Sequence, residues 1–473
     1  MAEINRRSFL KKGAVAAGAV AAAGPYAGFV APAGASSGRS DYGPLMPVPD
    51  ERDGVVRLEL PEGFHYRSFH QAGTPLTDGT PIPGRGDGMA AFRGPRRSTI
   101  LVRNHEVNGP VGAFGDTATA YDPMTGGGTV TTVVSRHGEV LDDWISLNGT
   151  QMNCAGGRTI WGSWLTCEET VNGDDVGNDF TDQSNEGLAK HGYVFEVPAG
   201  GTSDATPIRS MGRFAHEAAA VDNKTGYIYL TEDNFNFPSG LYRYRAPQNP
   251  RRVGRVLDGG VLEMLKVVGI DGAALNEGQP SGVTYDIEWV PIPDPDPTFA
   301  PGTTNDEAIV AVGDQGRAQG AAVFSRLEGC TFAAGKVYFV STQGGATVAP
   351  DEAPFGFGDG RGQVWRLDDR RGKLKMVYES PGSAVLDLPD NVVASRSRAL
   401  VLCEDGRGDN FLRGLTRGGD LFDFARNADP EQEGQEFAGA TFSYDFKTLF
   451  VNIQSSSGYS IAIWGRFRQG PFG

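Results

Sequence analysis

One unit of β-structure recurs six times along the chain, and that recurrence limits the fold more than any other feature. Each copy has a Gly- and Ala-rich strand opening on a polar residue, a tight turn, and an apolar β-branched strand ending in polar residues. A loop and an alternating strand follow. The first strands span 87–92, 153–157, 216–220, 328–332, 390–393 and 436–440. The second strands span 99–106, 163–169, 226–234, 336–343, 399–405 and 448–454, and the third span 128–135, 192–197, 240–245, 362–367, 420–425 and 459–465. Asp222-Asn223-Lys224-Thr225-Gly226, Ala333-Ala334-Gly335-Lys336 and Tyr444-Asp445-Phe446-Lys447 supply turn chemistry between strands. Cys154 to Glu168, Glu328 to Thr342 and Asp390 to Glu404 are each 14 positions apart, and Glu217 to Glu232 is 15.

A meander of this size cannot bury its apolar face alone, but six arranged radially can. The expected fold is therefore all-β, a six-bladed β-propeller forming one domain over residues 36–473. A stretch at about 248–325, rich in Pro and Asp at 291–297, breaks the pattern. It reads as a loop-rich insertion between blades 3 and 4, with a strand-like run at 308–312. The 67 glycines among 473 residues, roughly twice average usage, suit inner strands and tight turns.

In a propeller the first strand of each blade lines the central channel, where converging strands require small residues. The residue opening each of these strands then sits at one channel mouth. That places Asp87, Cys154 (or Asn153), Glu217, Glu328, Asp390 and Glu436 in a ring. The second strands end at the same mouth and add Asn104, Glu168, Glu169, Glu232, Glu404 and Asp405. So many carboxylates raise one another's pKa unless cations, basic partners or protons intervene. Hard oxygen ligands suit Ca²⁺, and a thiolate among carboxylates suits a transition metal such as iron. Arg326, two residues before Glu328, puts a guanidinium over the mouth, which suits an anionic substrate, phosphate above all.

Charge agrees with this reading. The 58 acidic residues exceed the 43 basic ones, giving a net charge of −15, which argues against a nucleic-acid partner. Cys154, Cys167, Cys330 and Cys403 form no CxxC pair, and one or two disulfides are expected if the chain reaches an oxidising compartment. Three of the four lie within two residues of a glutamate. At the N-terminus, Asn5-Arg6-Arg7-Ser8-Phe9-Leu10-Lys11 is a twin-arginine pattern, followed by a weakly apolar run and the cleavage site Ala33-Gly34-Ala35. Residues 1–35 read as a signal peptide with no stable membrane anchor. Export by the twin-arginine machinery to the periplasm or beyond is expected, as a monomer.

The spread motifs resemble the PhoX-type alkaline phosphatases. They are Asn153-Cys154-Ala155-Gly156-Gly157, Thr166-Cys167-Glu168-Glu169, Arg213-Phe214-Ala215-His216-Glu217-Ala218, Arg326-Leu327-Glu328-Gly329-Cys330, Pro389-Asp390-Asn391 and Cys403-Glu404-Asp405-Gly406. The resemblance runs from about residue 40 to the C-terminus. It implies a propeller mouth holding two iron(III) and three calcium ions with a bridging oxo group, where small phosphate monoesters are hydrolysed. Carried over, Cys154 is similar to the iron-ligating thiolate. Glu168, Glu169, Glu217 and Glu328 match carboxylates on iron and calcium, and Asp390 and Glu404 match calcium ligands. The choice of Glu404 over Asp405 rests on strand register alone. Arg326 matches the group that binds the transferring phosphate, and His216 is structural. Tyr444-Asp445-Phe446-Lys447 stands where a Pro-Asp-Gly-Lys-like turn is usual. Two other readings remain at this point: a calcium-dependent lactonase-type propeller, which would not need Cys154, and a non-enzymatic propeller with structural calcium.

Overall fold

The computed structural model describes residues 42–179 and 181–473. The twin-arginine pattern and the cleavage site at 33–35 lie outside the described residues. Within them, no helix is long and apolar enough to cross a membrane.

The structure is all-β and propeller-like, and its strands are hydrogen-bonded into five sheets. Gly86–Arg93, Thr99–His105, Gly127–Val134 and Val140–Thr150 form one meander, and Asn153–Arg158, Ser163–Glu168 and Val194–Pro198 form a three-stranded second. The next sheet has nine strands. It begins with the meander His216–Val221, Ile228–Glu232, Leu241–Arg245 and Val261–Val267. Thr284–Pro291 then bridges it to a second meander, read inward as Lys373–Glu379, Gln363–Asp368, Lys336–Ser341 and Leu327–Ala333. This fusion is why six predicted meanders give five sheets.

The insertion expected at about 248–325 is thus not merely loop. It supplies the fourth strand of one meander and the bridging strand Thr284–Pro291. Its predicted strand at 308–312 is instead part of the α-helix Asn305–Arg317. A capping box decides this: the Thr304 side chain accepts from the Glu307 N–H while Glu307 reaches back to the Thr304 N–H. Ala308, Val312 and Gly316 are buried at helical spacing.

The fifth meander has Pro389–Ala394, Leu400–Glu404, Phe411–Leu415 and Leu421–Asn427, extended by Val56–Pro61 and Leu45–Pro49. The run 420–425, expected as a third strand, belongs to the fourth. The true third strand, Phe411–Leu415, carries Arg413 and Gly414 and so hides its alternation. The last sheet joins Phe437–Phe442, Thr448–Ile453 and Tyr459–Gly465 to Phe64–Phe69 from the other end of the chain. This N-to-C pairing closes the assembly, and Tyr42, Phe64, Phe424, Phe467 and Phe472 seal it as an aromatic cluster.

The innermost strands pack one on the next in cyclic order, from Gly86–Arg93 through the others to Phe437–Phe442 and back. Small residues are a steric necessity there. A Cβ on Gly88 would lie 2.5 Å from Ala155 Cα, and one on Gly329 would lie 2.6 Å from the Asp390 carbonyl oxygen. Each of these strands also carries a register shift near its first residues, between Asn153 and Gly156 for example, and between Leu327 and Cys330. Bulges bend a strand and re-aim its side chains. Here they turn the polar residue near the start of each strand, an acid or Cys154, into one mouth.

Candidate metal centre

A cavity of about 230 Å³ occupies that mouth. Asp87, Cys154, Glu217, Glu328 and Asp390 reach it from inner strands, and Glu106, Glu169 and Asp405 reach it from the residue after a second strand. Arg85, Glu431, Gln432, Gln435, Glu436, Gln454 and 455–457, all serine, complete the wall. The ligand atoms of Cys154, Glu169 and Glu217 all lie within 4.8 Å of one another, and all three residues are buried.

The electrostatics follow from burial and crowding. Burial, reinforced by Glu169, Glu328 and Asp87, holds the Glu217 carboxyl well above the usual range. Asp390 is raised by burial and by Glu328, Glu217, Asp87 and Glu436. Burial also pushes the Cys154 thiol up, with Glu217, Glu169 and Asp87 adding to it. Its Sγ points at backbone carbonyls, 3.2 Å from His216 O and 3.5 Å from Glu217 O. Nearby positive charge would reverse every one of these shifts.

Strand alternation divides the expected ligands into two sets. Asn153 pairs with Glu168, His216 with Glu232 and Pro389 with Glu404 across the first hairpins. In each case the paired glutamate turns away from the mouth; the following residue lines the cavity for Glu169 and Asp405, while Asp233 instead holds Arg326. Glu168 accepts from the N–H groups of Gln151, Gly192 and Tyr193 at 2.9–3.1 Å and meets His191 Nδ1 at 2.6 Å. Glu404 accepts from Asp387 N at 2.9 Å, Phe411 N at 3.0 Å and Arg413 Nε at 2.8 Å. Glu232 is taken up by Gly240 N, Asn234 and the Tyr242 hydroxyl. Glu168 and Glu404, expected as metal ligands, therefore do not reach the cavity; Glu169 and Asp405 do. Asn104, also expected at the mouth, is buried instead: its Nδ2 donates to Cys154 O at 2.9 Å and Ala155 O at 2.8 Å. It holds the Cys154 backbone from the neighbouring sheet.

Arg326 stands beside the ring rather than on the cavity wall. It is 4% exposed. Its Nε and Nη2 donate to Asp233 at 3.0 and 2.7 Å, and Nη2 lies 2.5 Å from Glu328 Oε1. Phe235 covers it at 5.2 Å. His216 stacks on Phe214 and contacts Gly212 O, in keeping with a structural part. All four cysteines are buried and free, so the expected disulfides are not formed.

Sequence reasoning missed Arg85, Glu106, Gln454 and the rim loops. Glu106 and Gln454 left a signal, because each follows a second strand at the register position of Glu169 and Asp405.

The model of the family described as alkaline phosphatase PhoX matches residues 40–143 and 117–457. The chain belongs to the PhoX alkaline phosphatase family. It is accordingly a phosphomonoesterase, as the motifs led us to expect. No curated protein matches it. Among solved structures, it is similar to Pseudomonas fluorescens PhoX in complex with vanadate, a transition state analogue, at 17% identity and a TM-score of 0.61, covering 90% of this chain and 98% of that one. That likeness supports the propeller-like fold. A virginiamycin B lyase from Staphylococcus aureus is 10% identical with a TM-score of 0.39, covering 85% of this chain and 99% of that one. A gluconolactonase from Xanthomonas campestris is 10% identical with a TM-score of 0.37, covering 89% and 98%. Neither bears on the PhoX assignment.

Proposed function

We propose that this PhoX-family phosphatase is a six-bladed propeller, exported through the twin-arginine route, that cleaves small phosphate monoesters at an iron–calcium centre in its acid-lined mouth. The observation that carries the reading is the convergence of the Cys154 thiol with the Glu169 and Glu217 carboxylates inside a wall of further carboxylates. A buried group of like charges needs cations to ionise. The donor set fits them: the thiolate with Glu169 and Glu217 suits iron, and the oxygen-only set of Glu328, Asp390, Asp87, Asp405 and Glu436 suits calcium.

When bound, the cations supply Lewis acidity that polarises the phosphoryl oxygens and offsets the charge developing in the transition state. The protein's own groups do the rest. The inner-strand bulges fix the carboxylates at the mouth, so little reorganisation is left for the reaction. Asp233 holds the Arg326 guanidinium in one orientation beside Glu328, at the edge of the acid ring, and we assign to it the binding of a phosphoryl oxygen. The ester P–O bond breaks, water supplies the new P–O oxygen, and the alcohol leaves with a proton. The substrates are small phosphate esters, with no nucleic-acid partner.

Metal analysis of the folded, exported protein alongside p-nitrophenyl phosphate turnover tests this. Iron and calcium should co-purify, and chelation should abolish turnover. Calcium alone would overturn the iron assignment, and a Cys154→Ser variant that keeps its iron and full activity would overturn Cys154 as its ligand.

A further inference from the structure

The positions that open the inner strands are equivalent in a way the acid ring conceals. Glu106, Glu169, Asp233, Thr342, Asp405 and Gln454 each donate a backbone N–H to a carbonyl, those of Arg85, Met152, Ala215, Arg326, Leu388 and Glu436 in turn. Arg85 and Arg326 therefore occupy the same place in the repeat. Both adopt left-handed backbone, with φ of 53° and 41°, conformations that cost a non-glycine residue free energy. Each stands two residues before a cavity carboxylate, Asp87 and Glu328. In the cyclic order of inner strands their strands are three places apart, on opposite sides of the mouth.

Their surroundings differ in one respect. Arg326 is clamped by Asp233, the residue that follows the second strand of the preceding repeat. For Arg85 the equivalent residue is Gln454, which is neutral and donates to Glu106. Arg85 Nη1 comes no nearer than 3.8 Å to Glu106 Oε2, and its side chain is 35% exposed and lines the cavity. Arg326 is thus locked beside the ring, while Arg85 faces the open space.

We propose that Arg85 is a second phosphate-binding group, closing on the substrate phosphoryl from the side opposite Arg326. Its forked donors match phosphate oxygens bidentately, and it is a cationic side chain on a wall otherwise made of carboxylates, amides, hydroxyls and the Cys154 thiol. Gln432, Gln435 and the serines at 455–457 beside it present hydrogen-bonding groups to the ester portion. This inference rests on the phosphatase reading above.

The test uses the metal-loaded protein and its Arg85→Gln and Arg85→Lys variants. Affinity for inorganic phosphate is measured by calorimetry, KM and kcat with p-nitrophenyl phosphate, and metal content and Tm alongside. Arg85→Gln should weaken phosphate binding and raise KM by at least about tenfold with metal content and Tm unchanged, and Arg85→Lys should recover part of the loss. Phosphate affinity and KM within twofold of wild type would overturn the assignment, as would losses that track lost metal. A wild-type protein that binds phosphate but cleaves no monoester would overturn the hydrolase reading, and the binding comparison would still decide Arg85. A wild-type protein that binds no phosphate would overturn both.

Discussion

Glu168 and Glu169 are adjacent in the chain, yet one carboxylate is sealed against His191 and three backbone N–H groups while the other lines the acidic cavity. The pair shows in one place how the site is built. One acid ties down the loops behind the mouth, and its neighbour faces the cavity.

Substituting the two should therefore separate stability from metal binding. Glu169→Gln should keep its Tm after chelation and lose activity by more than about 100-fold, beyond the 10–100-fold typical of residues that only support a ligand. Glu168→Gln leaves His191 without its closest carboxylate and should cost about 3–5 kcal/mol of stability. Denaturant unfolding and metal content of the two variants check this. The same contrast is expected between Asp405→Asn and Glu404→Gln, the latter leaving Arg413 with Asp423 as its carboxylate partner.

His191 should make stability fall in alkali. Burial disfavours its charge, but Glu168 and Asp122 more than compensate and raise its pKa to about 9. A histidine raised on folding stabilises fully below its unfolded value of about 6.5, and that contribution is lost as pH rises through about 9. His191→Gln should be less stable near pH 6 and show a flatter pH dependence between 6.5 and 9. Thermal unfolding across that range reads it out.

Chelation should hurt more at high pH than at low. Glu217 and Asp390 have raised pKa values in the fold, so the protein stripped of cations binds more protons folded than unfolded. Its stability is then fully present below the ordinary carboxylate pKa and declines as pH rises above it. The fall in Tm on adding a chelator should be larger at pH 8 than at pH 5. An equal fall at both would contradict the repulsion argument.

The cysteines should be unbridged and shielded from thiol reagents in the folded, metal-loaded protein. Thiol-reactive dye should label none of Cys154, Cys167, Cys330 and Cys403 in the folded state and all four after unfolding without reductant. Fewer than four would mean that a bridge forms.

Local chemistry was enough to reveal a great deal. Period-two apolar patterning, the turn at Ala333-Ala334-Gly335-Lys336 and the small residues opening each first strand are written in consecutive residues. They gave the all-β repeat and a ring that includes Asp87, Cys154, Glu217, Glu328, Asp390 and Glu436, all of which line the cavity. What escaped the sequence depends on contacts between distant segments. Which member of Glu168–Glu169 or Glu404–Asp405 faces the mouth is set by the hairpin pairing with Asn153 or Pro389, because adjacent strand residues point to opposite sides. The helix at 305–317 arose where a four-residue spacing of Ala308, Val312 and Gly316 matched a buried surface and a capping box overrode the strand-like run. The division between a locked Arg326 and an open Arg85 turns on Asp233 and Gln454, which come from other repeats. Sequence alone determined the repeat and its acids; only strand pairing within each hairpin and packing between repeats decided which of them the cavity receives.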